Sequence, residues 1–237
     1  MKHSCPQALN LFLALISFQL LLVLVFSIAV LIQAPQPAYS LVDMDAEANL
    51  PTWFASFQLA LIAISLWSYS TQRRRARSPS RNFLRLFSAG FLVLSLDETA
   101  QLHEHITGWI GLRYVDWLPR YLSDHEGVTL FCVLVLLVAL RIAYRNLSAL
   151  WGLSRHASLI AVAGFLTCVT GGAILETIGY KFLLDGSSPS LYRAEVAAEE
   201  LLEMLGASLI LYAVVSFARV ETQEPAHLAA EPAWSLR

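Results

Sequence analysis

Six stretches of this chain are apolar enough to cross a lipid bilayer, yet acidic side chains lie inside them. A carboxylate near the centre of a membrane helix costs about 2.5–3.5 kcal/mol. The acids within the apolar stretches are Asp97, Glu98, Glu176, Glu199 and Glu203, and the acids and histidines at their ends are His103, Glu104, His105, His125 and Glu126. What stabilises these side chains is the question that the sequence poses about function.

The apolar stretches predict an all-α, polytopic membrane protein with six transmembrane helices. The chain is 57% hydrophobic and only 14% charged, which is too apolar for an ordinary soluble domain. The first stretch is longer than the apolar core of a cleaved signal peptide, and Asn49 with Pro51 predicts the start of the second. The predicted spans cover residues 9–32, 53–69, 83–105, 127–143, 157–182 and 195–218, and a disordered polar tail over 219–237 follows them.

Basic residues predict the orientation of these spans. Twelve of the sixteen Lys and Arg residues belong to the loops and termini of one side, six of them between Arg73 and Arg85. By the positive-inside rule, both termini are expected in the cytoplasm and the protein in the cell (inner) membrane. The basic loop has the form of a topology signal, and no basic stripe predicts a nucleic-acid partner.

This topology places the acids on the outer side. Fifteen of the eighteen acids are then on or near the outer half, where the only basic residues are Arg113, Arg120, Lys181 and Arg193. Because none of these four is deep within a span, ion pairs cannot balance the buried acids. Either several carboxyl groups are protonated, or a cation is bound among them.

Helical periodicity predicts which side chains share a face. Glu195, Glu199 and Glu203 recur every four residues and form one stripe, whereas Glu200 is about 100° away and is expected to face water or headgroups. Small residues in the last two spans would let helices approach closely. These residues are Gly171, Gly172, Gly179 and Gly206.

Carboxylates and imidazoles on facing helices are typical of iron, manganese or zinc sites in helical bundles. The sequence therefore predicts a divalent metal site with a deep carboxylate layer beneath a histidine layer. The candidate ligands are Asp97, Glu98, Glu176, Glu199, Glu203, His103, His105 and His125. Such a site would suit a metal-dependent membrane enzyme that acts on a lipid-like substrate, although the sequence does not decide whether the chain is an enzyme.

Two other functions stay open. The acids could form a structural hydrogen-bonded network with glutamine, threonine and buried water. They could also belong to a proton- or cation-coupled transporter, although the inner halves of the spans look too apolar for a path to the cytoplasm. The three cysteines form no Cys-x-x-Cys pair, so they predict neither a disulfide framework nor a zinc knuckle.

Four motifs resemble those of bacterial multi-pass membrane proteins of unassigned function, over most of the chain from Glu47 to Ala218. The motifs are Glu47-x-Asn49-x-Pro51-Thr52-Trp53-Phe54, Leu94-Ser95-Leu96-Asp97-Glu98 with His103-Glu104, Gly172-Ala173-x-x-Glu176, and Glu199-Glu200-x-x-Glu203-Met204-x-Gly206. This resemblance implies the architecture and no reaction. The chain is only weakly similar to the alkaline ceramidase and adiponectin-receptor class of zinc hydrolases, because its last span lacks a His-x-x-x-His pair.

Overall fold

A computed structural model describes residues 6–72, 79–102, 105, 134, 137, 141, 143–179 and 188–229, and the regular structure in these ranges is helical. The helices are α1 (Pro6–Leu31), α2 (Leu50–Gln72), α3 (Arg81–Ala100), α4 (Arg155–Val169), a π-helix π1 (Thr170–Leu175), α5 (Glu176–Ile178) and α6 (Pro189–Ala229), and residues 143–153 are also helical. The predicted all-α fold is therefore confirmed for the described residues.

Within the described ranges, four helical segments are long and apolar enough to cross a membrane: Ala8–Leu31, Leu50–Gln72, Arg155–Ile178 and Pro189–Thr222. Their apolar side chains are widely exposed on α1, where Leu13, Leu20 and Leu24 are each more than half accessible. Such surfaces need lipid around them, so these helices indicate a membrane protein. They correspond to the first, second, fifth and sixth predicted spans.

The other two predicted spans have different outcomes. The third is present as α3, but its terminal charges, with Arg85 near one end and Asp97 and Glu98 near the other, make it less apolar than the four segments above. The fourth, predicted over 127–143, lies mostly outside the described residues. Six spans therefore remain a prediction.

Several helix boundaries differ from those predicted. α3 ends at Ala100 and not at His105, because Gln101 adopts a left-handed conformation with φ of 50° and its N–H donates to the Asp97 carbonyl. α6 continues past Ala218 to Ala229, so residues 219–229 are helical where a disordered tail was predicted. Glu221, near the start of this extension, is fully buried.

The start of α2 agrees with the prediction. The Asn49 Oδ1 atom accepts hydrogen bonds from the Thr52 backbone N–H at 3.1 Å and from its hydroxyl at 3.0 Å. Pro51 follows in the first turn, where its missing N–H costs no hydrogen bond. Asn49 is therefore the N-cap of α2, a position at which asparagine is strongly preferred.

α6 is the central helix of the bundle and packs against α1, α2 and α4, while α3 packs mainly against α2. Phe12 of α1 meets Tyr212 of α6 at a ring-centroid distance of 5.7 Å. Between α2 and α3, Ser56 and Ser95 each donate a hydrogen bond to the other's backbone carbonyl, at 2.7 and 2.9 Å. Together with the bond from Ser88 Oγ to the Ala63 carbonyl at 2.7 Å, these contacts fix an antiparallel register, so α3 ends where α2 begins. α6 begins at the same end, because Tyr192 near its start donates to Asp45 in the loop before α2.

We call this end the acidic end, and the opposite end, where α2 finishes at Gln72 and α3 begins at Arg81, the basic end. Between them, two fully buried glutamines join α1 and α2 to α6. Gln19 Nε2 donates to the Met204 carbonyl at 2.9 Å and to Ser208 Oγ at 2.8 Å. Gln58 Nε2 donates to the same two atoms at 3.2 and 2.7 Å. Ser208 is thus a shared acceptor for two helices.

Ser208→Ala is expected to destabilise the protein by about 2 kcal/mol, because it removes one hydrogen bond from each of two buried amides. Reversible unfolding in detergent measures this change. Ser216→Ala is the matched control, since the Ser216 hydroxyl donates only to the Tyr212 carbonyl of its own helix. Replacing both glutamines by leucine together with Ser208→Ala should restore much of the loss. Equal effects of the two serine variants would contradict this role of Ser208.

Candidate functional site

Glutamates of α6 lie against glycines of the helix that packs beside it. A Cβ atom added to Gly172 would lie 2.5 Å from Glu203 Oε1, and one added to Gly179 would lie 2.5 Å from Glu195 Oε2. A Cβ on Gly171 would lie 2.7 Å from the Glu199 carbonyl. The stripe formed by Glu195, Glu199 and Glu203 therefore faces the glycines, and the predicted close approach of the two helices is confirmed.

The π-helix lies where these glycines meet the glutamates. π1 covers Thr170–Leu175 and is followed at once by Glu176, the first residue of α5. Three threonine hydroxyls around it donate to backbone carbonyls four residues earlier, which loosens regular α-helical bonding: Thr167 to Ala163, Thr170 to Leu166 and Thr177 to Ala173. Single π-turns are frequent at functional sites.

Further carboxylates act on the glutamates of α6 through their charge. Glu203 is within electrostatic range of Glu98 on α3 and Glu176 on α5, and Glu199 is within range of Asp45. The loop between α1 and α2 thus adds to the group. We call the whole set the carboxylate cluster, and it consists of Asp45, Glu47, Glu98, Glu176, Glu195, Glu199, Glu200 and Glu203.

Glu200 has a different position from the one predicted. It is only partly exposed and lies within electrostatic range of Glu98 and Glu47, so it faces the bundle rather than water or headgroups. The spacing of residues along α6 relates the position of Glu200 to two buried residues. Glu200 is four residues before Met204 and eight before Ser208, which are both buried against α1 and α2.

Of the predicted ligands, Glu98 and Glu176 lie within electrostatic range of Glu203, and Glu176 also lies within range of Glu199. Asp97 precedes Glu98 near the end of α3 and is half-buried. His105 is exposed, and its Nδ1 atom is 2.8 Å from the backbone carbonyl of Gln101. His103 and His125 lie outside the described residues. Among the described residues, no three His, Cys, Asp or Glu side chains are arranged to hold a metal ion.

Two tyrosines lie beside the acids of the loop between α1 and α2, and one of them joins this loop to the start of α6. Tyr192 Oη donates to Asp45 Oδ1 at 2.7 Å, and burial, reinforced by the Asp43 carboxylate, raises the pKa of the Tyr39 hydroxyl above its ordinary value. The guanidinium of Arg193 is close enough to oppose that shift. Sequence reasoning missed Tyr192, although its spacing of three residues before Glu195 places it near the same face.

The charge balance of the site is one-sided. Within the part of the chain that the structure describes, the charged groups that act most strongly on Glu195, Glu199, Glu200 and Glu203 are other carboxylates. Both carboxylate oxygens of Glu195 are buried and make no hydrogen bond to described protein atoms. An arrangement of this kind can hold protons or attract a cation.

A family model described as "Domain of unknown function (DUF8692)" matches residues 11–218. This match agrees with the resemblance to proteins of unassigned function, whereas the weaker similarity to zinc hydrolases stays a prediction. No curated protein and no solved structure matches the chain.

Proposed function

This chain belongs to the family described as a domain of unknown function (DUF8692), and we propose from its own residues that it binds a divalent metal ion in the carboxylate cluster. The proposed protein crosses the cell membrane six times with both termini in the cytoplasm. Its acidic end faces outward, and iron, manganese and zinc are the candidate ions.

The observation that carries this proposal is the convergence of carboxylates from several elements at one end of the bundle. Acids from α3, α5, α6 and the loop after α1 act on one another at one end of the bundle. Among the described residues, the charged groups that act most strongly on the four α6 glutamates are other carboxylates. A divalent ion would remove the repulsion among these groups and offset the cost of burying them.

The ligand types also fit this proposal. Glu98, Glu176, Glu199 and Glu203 supply oxygen atoms, and His103, His105 and His125 supply nitrogen atoms if they approach the same place. Glutamate side chains have three rotatable bonds, so a bound ion would draw their carboxylates together from the spacing seen here. Asp97 is a further candidate ligand from α3. In an enzyme, the ion would activate water against a lipid-like substrate dissolved in the membrane.

Elemental analysis tests this proposal directly. Protein purified in mild detergent without chelators should contain about one equivalent of iron, manganese or zinc per chain. Dialysis against a chelator should remove the ion, and readdition should restore both the ion and the thermal stability. Protein that holds no stoichiometric metal before or after readdition would contradict the proposal.

The structural alternative is favoured by the glycine contacts. Because Gly171, Gly172 and Gly179 lie directly against the glutamates, hydrogen-bonded protonated carboxyls could hold α6 in register without an ion. This alternative predicts that Glu→Gln changes alter thermal stability and leave cellular function intact. It also predicts no effect of chelators on stability.

The transport alternative has less support. The layer between the buried glutamines and Glu221 contains the apolar side chains of Ile62, Leu66, Leu211 and Val214, which are each at most 8% exposed. A proton or cation path needs polar groups or water across that layer. Glu176→Gln and flux measurements in proteoliposomes distinguish transport from metal binding, since only transport predicts flux driven by a pH or ion gradient.

A further inference from the structure

The helical residues 143–153 precede α4 at the basic end, and we call them the connecting helix. The Ser80 backbone N–H donates to Asn146 Oδ1 at 2.7 Å, so the connecting helix is joined to the N-cap residue of α3. Its inner side packs against the core of the bundle at regular helical spacing, through Ala143, Leu147, Leu150 and Leu153. The connecting helix is therefore amphipathic and is docked on the bundle by one side.

Contacts between α2 and α3 give the level of one end of the connecting helix. Ser88 of α3 donates to the Ala63 carbonyl of α2, and these two helices are antiparallel. Ser80 is eight residues before Ser88, so it lies level with the last turn of α2, which ends at Gln72. Asn146 lies near this level because it accepts the hydrogen bond from Ser80.

The other end of the connecting helix lies at nearly the same level. A Cβ atom added to Gly164 of α4 would lie 2.8 Å from the Gly206 carbonyl of α6, and these helices are antiparallel. Ser154 is therefore level with the turn of α6 that includes Ala218, which lies beside the end of α2. An α-helix rises about 12 Å over the eight residues from Asn146 to Ser154. Because little of this rise is along the bundle, the connecting helix runs across its end, in the direction of the membrane plane.

The outer side of the connecting helix carries basic and aromatic side chains. Arg145 is exposed. Tyr144 and Trp151 are 65% and 44% exposed, and their spacing of seven residues puts them on the same side of the helix. Arg81 and Arg155 are the exposed first residues of α3 and α4. We call this set the interfacial surface: Arg81, Tyr144, Arg145, Trp151 and Arg155.

The interfacial surface has no acidic residue on its own elements to balance its charge. Residues 79–96 and 127–175 contain neither Asp nor Glu. Arg81 and Arg155 are also in the first turns of their helices, where the helix dipole disfavours positive charge. Glu221, an acid of α6 at this end, is fully buried. An anion from outside these elements would therefore stabilise the interfacial surface.

We propose that the interfacial surface binds anionic phospholipid headgroups of the leaflet at the basic end. Arg81 and Arg145 each adjoin one member of the bonded pair Ser80 and Asn146. Their Cα atoms are thus about 3.8 Å from those of the bonded residues, and two helices offer guanidinium groups to the same headgroup region. Anionic lipids attract basic segments at the membrane surface in this way.

The aromatic side chains favour lipid over an acidic protein or a free phosphate compound. Tyr144 and Trp151 are of the types that lie at the level of headgroups, with the ring towards hydrocarbon and the polar atom towards water. Neither type would contribute in this way to binding of a small anion in water. The proposal does not depend on metal binding, because the interfacial surface lies at the opposite end of the bundle from the carboxylate cluster.

Lipid titration of the whole protein in nonionic detergent, followed by native mass spectrometry, tests this proposal. Dioleoyl-phosphatidylglycerol should bind more tightly than dioleoyl-phosphatidylcholine, which has the same acyl chains and no net charge. Arg145→Gln should weaken phosphatidylglycerol binding about fivefold, and Arg81→Gln together with Arg145→Gln about 25-fold. Arg193→Gln is the matched control, since Arg193 is an exposed arginine of the acidic end.

Four results would overturn the proposal. Equal affinity for the two lipids would show that headgroup charge is not recognised. Equal effects of Arg145→Gln and Arg193→Gln would mean that lipid binds through general charge attraction. Unchanged phosphatidylglycerol binding in the double variant would mean that the lipid binds elsewhere. Displacement of the lipid by an equal concentration of glycerol 3-phosphate would mean that the surface takes free phosphate compounds. Circular dichroism of each variant confirms that it has folded.

Discussion

Protein that carries Glu199→Gln together with Glu203→Gln should lose its divalent metal and keep its helical fold. Each substitution preserves the shape of the side chain and removes one anionic ligand. Loss of two such ligands should weaken metal affinity on the order of 100-fold or more. Elemental analysis after identical purification should therefore show about one ion per chain in the unsubstituted protein and almost none in the variant.

The matched control is Asp43→Asn. Asp43 is an acid of the same end, and its Oδ1 atom accepts a hydrogen bond from the Asp45 backbone N–H. It is not among the carboxylates that act most strongly on the α6 glutamates, so its substitution should leave the metal content unchanged. Full metal content in the double variant would show that the ion is bound elsewhere.

Thermal unfolding separates metal binding from a structural network. A chelator should lower the melting temperature of the unsubstituted protein, because removal of the ion restores repulsion among the carboxylates. The same chelator should have no effect on the double variant, which lacks both the ion and two of the charges. A chelator effect of equal size in both proteins would contradict metal binding at this site.

Gly206→Ala should destabilise the protein by about 3 kcal/mol, the upper part of the usual range for overpacking. A Cβ atom at Gly206 would clash with Cys168 Sγ and would lie 2.6 Å from the Gly164 carbonyl and 2.7 Å from the Cys168 backbone nitrogen. Two of these three atoms are backbone, so no change of rotamer relieves the contact. Helices α4 and α6 must therefore move apart. Reversible unfolding in detergent measures the resulting loss of stability.

Gly90→Ala provides the control for this prediction. Gly90 is an exposed residue within α3, and a Cβ atom there would meet nothing within 4 Å. Alanine at that position should be neutral or stabilise by about 0.5–1 kcal/mol, because it lowers the entropy of the unfolded chain. Gly164→Ala should destabilise the Gly206→Ala variant less than it destabilises the unsubstituted protein, because the two glycines belong to the same helix contact. A neutral Gly206→Ala would disprove this close approach.

Helical periodicity was enough to predict the Glu195, Glu199 and Glu203 stripe, because it follows from spacing along one helix. The glycines of the fifth span predicted a close approach of a neighbouring helix, but not that this helix would be α6 with its glutamate stripe. Spacing places Glu200 on the same face of α6 as Met204 and Ser208, but that this face is buried depends on where α1 and α2 lie around α6. The end of α3 was also missed, since the left-handed Gln101 follows from tertiary structure and not from composition. Glu221 is polar in sequence and buried in the fold, so hydropathy alone ended α6 too early.

The π-helix changes the direction in which the rest of its helix faces. In a straight α-helix, Gly179 would be turned about 80° from the line of Gly171, since eight residues at 100° each make two full turns and 80° more. A single π-turn accommodates about one additional residue and takes up most of that angle. Gly171 and Gly179 can therefore both lie against α6, at Glu199 and Glu195. Because Glu176 directly follows the π-helix, the additional residue in that turn also sets the direction in which Glu176 faces.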